Sequence, residues 1–287
     1  MRPKWPGLGQ GKILRCPSWF IDDHLVPEHE DLFAYYAGQD EGQRLFRFAH
    51  NRLELLRTHE LLQRQLPLPP AVVLDVGGGT GVHAAWLAGR GYRVHLVDIV
   101  PQHVRAAAEH GPMTAEVGDA RRLSQADASA DAVLLFGPLY HLVGRVERLS
   151  ALVEARRVLR PGGVLLAAAI GRFMAVLDWA QSGGLTADVA AKLAPVLSSG
   201  VHDPTPTLGF TDAFFHTAAQ LRQEVAEAGF ADVRVVGIEG PAWTIVDAPG
   251  DDADARFDSA LRCAQLTENL AEIVDASAHL MALATAI

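Results

Sequence analysis

The stretch Val72–Gly81 reads VVLDVGGGTG and decides the fold of this chain. A short run of strand-forming residues that carries Asp75 leads directly into a loop of glycines, and a helical pattern, His83–Gly89, follows. Glycine lacks a Cβ atom, so such a loop turns sharply and lets a ligand approach the main chain. Val82 stands where a GxGxxG dinucleotide fingerprint has its third glycine, and the Lys-Ser/Thr pair of a P-loop does not follow. The stretch therefore predicts a ligand-binding strand, loop and helix of another kind, with the spacing GxGxG.

Strands and helices alternate on the C-terminal side of this loop. Strands that are separated by helical crossovers form a parallel sheet with helices on both faces, so the predicted fold class is α/β. The further predicted strands are Arg93–Val97, Ala115–Val117, Asp131–Phe136, Val164–Ile170, Asp232–Gly237 and Ala278–Thr285, and the predicted helices are Pro101–His110, Val146–Leu159, Thr217–Ala228 and about 252–274.

Two segments lie outside this alternation. Residues 31–66 have helical periodicity, and Pro67–Pro70 ends it, so we predict an N-terminal helical lid over residues 1–70 and the main domain over 71–287. Residues 171–216 contain helical pieces and a Pro/Thr loop, and we interpret them as a helical insertion that forms a second lid over the strand ends.

Polar residues follow three of the predicted strands at the edge where α/β sheets bind ligands. Asp98 ends the second strand, and a carboxylate there is able to accept both hydroxyls of an adenosine ribose. Asp119, in the sequence GDA after the third strand, is placed to receive the exocyclic amine of adenine. Gly137–His141 follow the fourth strand.

This order of motifs resembles that of the class I S-adenosylmethionine-dependent methyltransferases, in particular their small-molecule types 11 and 25. RVLRPGG at Arg157–Gly163 belongs to the same pattern, which covers residues 31–170 well and 217–287 loosely. The resemblance implies a Rossmann-like sheet of seven mostly parallel strands, in which the last strand is antiparallel and lies beside the sixth. It also implies S-adenosyl-L-methionine as the cofactor.

The resemblance further implies roles for individual residues. Asp75 lies near the methionine end of the cofactor, and the lid residues Tyr36 and Arg44 belong to the same end, where such side chains reach the methionine carboxylate. The main chain contacts the cofactor at Gly77 and Gly79. The other residues expected to bind the cofactor are Asp98 and Ile99 at the ribose, Asp119 and Ala120 at the adenine, and Gly137 at the border with the acceptor.

The acceptor side is predicted from residue types alone. Tyr140 and His141 are the candidate catalytic residues, which orient or deprotonate the acceptor. Trp19, Tyr35, Phe214 and Phe215 together with Tyr140 form a candidate stacking box for a planar acceptor, with a packed lid core as the alternative interpretation. No HExxH spacing is present, so no metal is expected.

Composition restricts the function further. The 287 residues have a formal net charge of −9, which disfavours nucleic acid as a partner because phosphate neutralisation needs a basic surplus. The apolar runs are too short to span a membrane, and the first twenty residues lack a signal-peptide core, so a cytoplasmic enzyme is expected, with a homodimer left open. The resemblance implies methyl transfer, and the aromatic residues of the lids favour a small aromatic or heteroaromatic metabolite of specialised metabolism, methylated at oxygen, nitrogen or carbon. A peptide or protein acceptor and a cofactor-binding partner protein without activity are the alternatives.

Overall fold

A mostly parallel sheet of seven strands forms the centre of the computed structural model, which describes residues 30–37, 41–203 and 210–287. The described residues form these seven strands and a separate pair, β6 and β7. The strands are β1 (Val72–Val76), β2 (Arg93–Asp98), β3 (Thr114–Val117), β4 (Ala130–Phe136), β5 (Leu159–Ile170), β6 (Val201–His202), β7 (Ala213–Phe214), β8 (Phe230–Gly237) and β9 (His279–Ala286). The order in the large sheet is β3-β2-β1-β4-β5-β9-β8. Strand β9 is antiparallel to both of its neighbours, β5 and β8, so the predicted fold class is confirmed.

Helices cover both faces of this sheet. They are α1 (Glu30–Ala37), α2 (Glu41–Arg47), α3 (Ala49–Gln65), α4 (Val82–Ala88), α5 (Pro101–Glu109), α6 (Pro138–His141), α7 (Arg145–Val158), α8 (Met174–Gln181), α9 (Ala187–Ser199), α10 (Ala218–Glu227) and α11 (Ala253–Thr267), with 3-10 turns at Pro241–Ile245 and Val274–Ala276. Successive strand residues point to opposite faces, and β4 shows this: Val133 packs into one core cluster and Leu134 into the other.

The main difference from the predicted elements lies at the start of β5. Residues Arg160–Gly163 are predicted as a turn, but the strand already begins at Leu159 and has an irregularity in its pairing with β4. The short helix α6 and the two-stranded sheet of β6 and β7 are not predicted, because they are too short for a periodic signal.

The insertion between β5 and α10 leaves and rejoins the sheet at one place. His216 N donates to Ile170 O at 2.8 Å, and Arg172 N donates to His216 O at 2.7 Å. Helices α8 and α9 and the sheet of β6 and β7 lie between these two points. Within the described ranges, no helix is both long and apolar enough to cross a membrane.

Candidate active site

A cavity of about 290 Å³ lies at the carboxyl edge of the sheet. We divide it into a loop half, formed by residues 75–80, 98–100 and 118–120, and a covered half, formed by α1–α3, α6, residues 211–212 and the start of β9. All of the residues predicted for cofactor binding or catalysis line this cavity, namely Tyr36, Arg44, Asp75, Gly77, Gly79, Asp98, Ile99, Asp119, Ala120, Gly137, Tyr140 and His141. Segments far apart in the chain therefore meet at one crevice.

The glycine loop is shaped by positive φ angles, +74° at Gly77 and +55° at Gly79. A Cβ atom at Gly77 would lie 2.4 Å from Pro138 Cδ, so the loop and the start of α6 pack as closely as a main chain without side chain allows. A Cβ at Gly79 would instead enter open space, with Glu41 Cγ at 3.9 Å as its nearest neighbour. The main chain at Gly79 is thus bare toward the cavity, as a cradle for a ligand requires.

Asp75 places a carboxyl group in the wall of the loop half. Its residue is 1% exposed, and neither of its oxygens has a hydrogen-bond partner among the described residues. Burial, and secondly the charge of Asp98, raise the pKa of Asp75 to about 7. A buried carboxyl group without a donor is costly, so this geometry fits a ligand that brings a cationic donor, such as an ammonium group.

Asp98 is held in place by three donors. Its carboxylate accepts hydrogen bonds from Gly79 N at 2.8 Å and Val100 N at 2.9 Å, and its Oδ1 lies 3.2 Å from His103 Nδ1. The carboxylate therefore ties the glycine loop to the end of β2. Oxygens fixed in this way retain lone pairs that are able to accept from ribose hydroxyls.

Asp119 is engaged by a neighbouring side chain. Arg121 Nε lies 2.9 Å from Asp119 Oδ2, Arg121 Nη2 lies 2.6 Å from the same oxygen, and Arg121 N donates to Oδ1 at 2.8 Å. The predicted hydrogen bond from adenine would therefore join a carboxylate that Arg121 already holds.

His141 is enclosed by two hydroxyl groups in the covered half. Tyr36 Oη lies 2.8 Å from His141 Nε2, and Thr211 Oγ1 lies 3.4 Å from Nδ1. Burial lowers the pKa of His141 to about 4, so the imidazole is neutral at pH 7. His141 thus connects α1, α6 and the insertion. Burial raises the pKa of Tyr140, which is neutral as well.

The residues predicted for acceptor binding lie in different places. Trp19 lies outside the described residues. Tyr35 packs edge-on against Phe210 at 5.6 Å and does not line the cavity. Phe214 and Phe215 also lie away from it, against the prediction. The guanidinium of Arg148 on α7 lies 3.6 Å from the Phe214 ring centroid, so this ring packs the insertion against α7. Phe215 stacks on His202 within the insertion.

Sequence reasoning missed a polar cluster at the base of the covered half. Arg44 Nη1 and Nη2 donate to Glu54 Oε2 and Oε1, each at 2.9 Å. His279 Nδ1 lies 2.5 Å from Glu239 Oε1. Glu54, Glu239 and His279 each have an oxygen or ring nitrogen that lies within 4.8 Å of those of the other two. A histidine in the apolar strand HLMALATA is the signal that could have drawn attention to it.

Fold and site together define a doubly wound α/β protein with a ligand cavity at the carboxyl edge of its sheet. A family model described as a methyltransferase domain matches residues 73–163. The chain is 32% identical over 194 residues to the ubiquinone/menaquinone biosynthesis C-methyltransferase UbiE of Nitrobacter hamburgensis, covering 62% of this chain and 69% of that protein. It is 31% identical over 191 residues to the ubiquinone biosynthesis O-methyltransferase of Xylella fastidiosa strain 9a5c, covering 64% and 70%.

A solved structure of a S-adenosylmethionine-dependent methyltransferase from Methanosarcina mazei has the same fold. The TM-score is 0.54 at 20% identity, and the match covers 79% of this chain and 97% of that one. The chain belongs to the class I S-adenosylmethionine-dependent methyltransferases, and S-adenosylmethionine is its cofactor. The unpartnered carboxyl group of Asp75 and the bare main chain at Gly79 fit this molecule, which brings an ammonium group and a nucleoside.

Proposed function

We propose that this methyltransferase methylates a small aromatic or heteroaromatic acceptor of specialised metabolism. The observation that carries the proposal is the covered half of the cavity, which continues beyond the cofactor loop. Its walls carry the rings of Tyr36 and Tyr140 and the apolar side chains of Leu45, Ile238 and Met281. Aromatic and apolar walls beside a polar cluster that contains Arg44, Glu54 and His279 favour a planar ring that carries a polar substituent.

The chain's contribution to such a reaction is position and the exclusion of water. When bound, S-adenosylmethionine supplies a methyl group on a sulfonium, and the thioether that leaves is neutral and needs no protonation. Asp75 and the main chain of Gly77–Gly79 would hold the cofactor, and Asp98 would hold its ribose. Helix α1, which Tyr36 joins to His141, would keep water from the acceptor side.

Tyr140 and His141 take different roles in this proposal. The Tyr140 hydroxyl makes no hydrogen bond to a described residue, and Tyr140 lines the cavity, so this hydroxyl is available to orient the acceptor. His141 was predicted as a candidate base, but both of its ring nitrogens lie beside hydroxyl groups and burial lowers its pKa to about 4. We therefore assign His141 to positioning Tyr36 and helix α1.

The proposal is tested with purified protein, S-adenosylmethionine and a panel of phenols, quinols, hydroxyindoles and aromatic amines. We expect release of S-adenosylhomocysteine and a product heavier by one methylene with at least one aromatic acceptor, by chromatography and mass spectrometry. Reactions without S-adenosylmethionine are the control, and the variant Gly79→Ala tests the effect of weakened cofactor binding. Methylation of a peptide library with no turnover of the panel would favour a peptide or protein acceptor. Cofactor binding without turnover of either would favour a non-catalytic partner protein.

The same proposal includes the setting of the reaction. We place it in the cytoplasm, with a small-molecule acceptor and neither nucleic acid nor membrane as partner. The net charge of −9 supports the exclusion of nucleic acid and membrane as partners, because an acidic chain offers no general attraction to phosphate backbones or anionic lipids.

A further inference from the structure

His279 stands at the base of the covered half and is held by a buried carboxylate. It is the first residue of β9 and pairs with Ile170 at the carboxyl end of β5. Its Nδ1 lies 2.5 Å from Glu239 Oε1, and its main-chain N donates to Glu239 Oε2 at 2.9 Å. Glu239 is 2% exposed and also accepts a hydrogen bond from Ser277 Oγ at 2.9 Å. Glu239 therefore fixes the position of the His279 imidazole, and the hydrogen bond from Ser277 fixes Glu239.

The second ring nitrogen of His279 is available to a ligand. Among the described residues, none forms a hydrogen bond with Nε2, and His279 lines the cavity whereas Glu239 does not. Since Nδ1 is engaged by Glu239, Nε2 is the ring nitrogen that remains for a ligand in the cavity. A carboxylate on one imidazole nitrogen and a reacting group on the other is the arrangement of a general base with its orienting partner.

The other histidines of the cavity lack this combination. His141 has a hydroxyl group beside each nitrogen. His103 lies beside Asp98 at the ribose side, and its Nε2 is buried with the Tyr36 ring packed 4.8 Å away. His83 lies edge-on to the Phe136 ring, and its Nδ1 is buried without a partner. His279 is thus the histidine best placed to act on an acceptor.

We propose that His279, oriented by Glu239, takes the proton from an acidic hydroxyl group of the acceptor, so that this enzyme is an O-methyltransferase for a phenol or a similarly acidic hydroxyl. This inference rests on the proposed function. The O–H bond of the acceptor breaks and its proton bonds to Nε2. The oxygen electron pair forms the bond to the methyl carbon, and the carbon–sulfur electron pair stays on sulfur as the neutral thioether. The imidazolium then loses its proton to water.

The charges around His279 match it to such an acceptor. The facing groups are Glu239 after β8, Glu54 on α3 and Arg44 on α2. Burial alone lowers the pKa of His279, but the Glu239 and Glu54 carboxylates outweigh it and raise the pKa to about 9, against a smaller opposite effect of Arg44. A phenol has a pKa of about 10, so the neutral imidazole, which is the minor form below pH 9, takes a phenol proton with little cost. Glu239 acts through His279 and is a positioning residue.

The first experiment uses a phenol that reports its own ionisation. 4-Nitrophenol absorbs at longer wavelength as the anion, so its ionised fraction is read while it is bound to protein saturated with S-adenosylhomocysteine. We expect the wild-type protein to lower the apparent pKa of the bound probe and His279→Gln to abolish this shift. The matched control is His50→Gln, because His50 is also paired with a carboxylate, Asp247, but outside the cavity. Equal ionised fractions in wild type and His279→Gln, or no binding of the probe, would overturn the inference.

The second experiment follows methyl transfer to the phenol that the acceptor panel identifies. His279→Gln should lower kcat by about 10²–10⁴-fold with little change in KM and unchanged cofactor affinity. In the wild type, kcat/KM should rise with pH up to about 9, because the base must lose its proton. Glu239→Gln should move this rise to lower pH, since it removes the carboxylate that raises the pKa of His279; a merely structural role would not move it.

Three results of the second experiment would contradict the inference. One is an unchanged pH profile in Glu239→Gln, and another is full activity in His279→Gln. The third is loss of wild-type activity in EDTA with recovery on adding Mn²⁺ or Zn²⁺, which would make Glu54, Glu239 and His279 a metal site. If no aromatic compound is methylated at all, the proposed function fails instead, and the ionisation of bound 4-nitrophenol still decides the role of His279.

Discussion

The loop half and the covered half of the cavity are assembled from the chain in different ways. The loop half comes from the ends of three neighbouring strands, and its lining includes Gly77–Gly79, which have only main-chain atoms to offer. The covered half brings together side chains from α1 (Tyr36), α3 (Glu54) and β9 (His279). A surface of main chain depends on local geometry, whereas a surface of distant side chains depends on the packing of the whole domain. The first kind is suited to a constant cofactor and the second to a variable acceptor.

The largest effects are expected in the loop half, where two glycines separate folding from binding. Gly77→Ala places a Cβ 2.4 Å from Pro138 Cδ at a φ of +74°. It should lower the free energy of unfolding by about 3 kcal/mol, through overpacking and strain together. Gly79→Ala directs its methyl group into open cavity. It should cost at most about 1–2 kcal/mol of stability for the positive φ, yet weaken cofactor binding by about 10–100-fold.

Urea unfolding and calorimetric titration with S-adenosylhomocysteine measure the two effects. Gly162→Ala is a suitable reference, because Gly162 also has a positive φ and no atom within 4 Å of the added Cβ, but lies away from the cavity. Equal cofactor affinity in Gly79→Ala and Gly162→Ala would remove the main chain at residue 79 from the cofactor site.

Asp75 tests whether a residue of the loop half lowers the stability of the free protein and strengthens cofactor binding. The folded state raises the pKa of Asp75 from 3.8 to about 7. Its favourable contribution to the free energy of unfolding is therefore present below pH 3.8 and is lost as the pH rises through about 7. At pH 8 Asp75→Asn should therefore stabilise the free protein, because it removes an unpaired buried charge. The same variant should weaken cofactor binding by about 10–100-fold, because a charge-assisted hydrogen bond to the ammonium group is lost.

The pH dependence of binding gives an independent check on Asp75. The affinity of the wild type for S-adenosylmethionine should fall as the pH drops below about 7, where the carboxyl group becomes neutral. Asp75→Asn should lack this decrease. Thermal unfolding and calorimetric titration between pH 6 and 8 measure both, and a variant that is less stable and binds equally well would contradict this role.

The two halves also differ in how far the sequence predicts them. The motifs of the loop half lie close together in the sequence. A strand, a glycine loop and a carboxylate after each of the next two strands predict their own geometry, and Asp75, Gly79 and Asp98 all line the cavity. Glu54 and His279 lie far apart in the sequence and belong to no common motif. Only the pairing of β9 with β5 brings His279 to this edge of the sheet. Phe214 was misplaced for the same reason, because the pairing of β7 with β6 decides where its ring packs.

In the covered half, the contact between Tyr36 and His141 should have a moderate effect. Tyr36→Phe removes the hydroxyl that lies 2.8 Å from His141 Nε2 and leaves the ring in place. We expect a KM for the acceptor that is about 3–10-fold higher with a smaller change in kcat, since a neutral hydrogen bond contributes about 0.5–1.5 kcal/mol.

His141→Ala distinguishes positioning from base catalysis at this contact. As a positioning residue, His141 should give a loss of similar size to that of Tyr36→Phe, and the double variant should add little further loss because both changes break one interaction. A kcat lower by about 10²–10⁴-fold in His141→Ala alone would instead restore His141 as the base. Steady-state kinetics with the identified acceptor decide between the two.

The smallest expected effect concerns stability at high pH in the covered half. The folded state raises the pKa of His279 from 6.5 to about 9, so its contribution to stability is complete below pH 6.5 and is lost as the pH rises through about 9. The wild type should therefore lose a few degrees of Tm between pH 7 and 9.5, and His279→Gln should lose less over the same interval. The control His50→Gln should behave as the wild type, because its pair with Asp247 lies outside this cluster. An equal loss of Tm in His279→Gln and the wild type would show that the ion pair between His279 and Glu239 does not stabilise the covered half. The covered half would then be stabilised by side-chain packing alone.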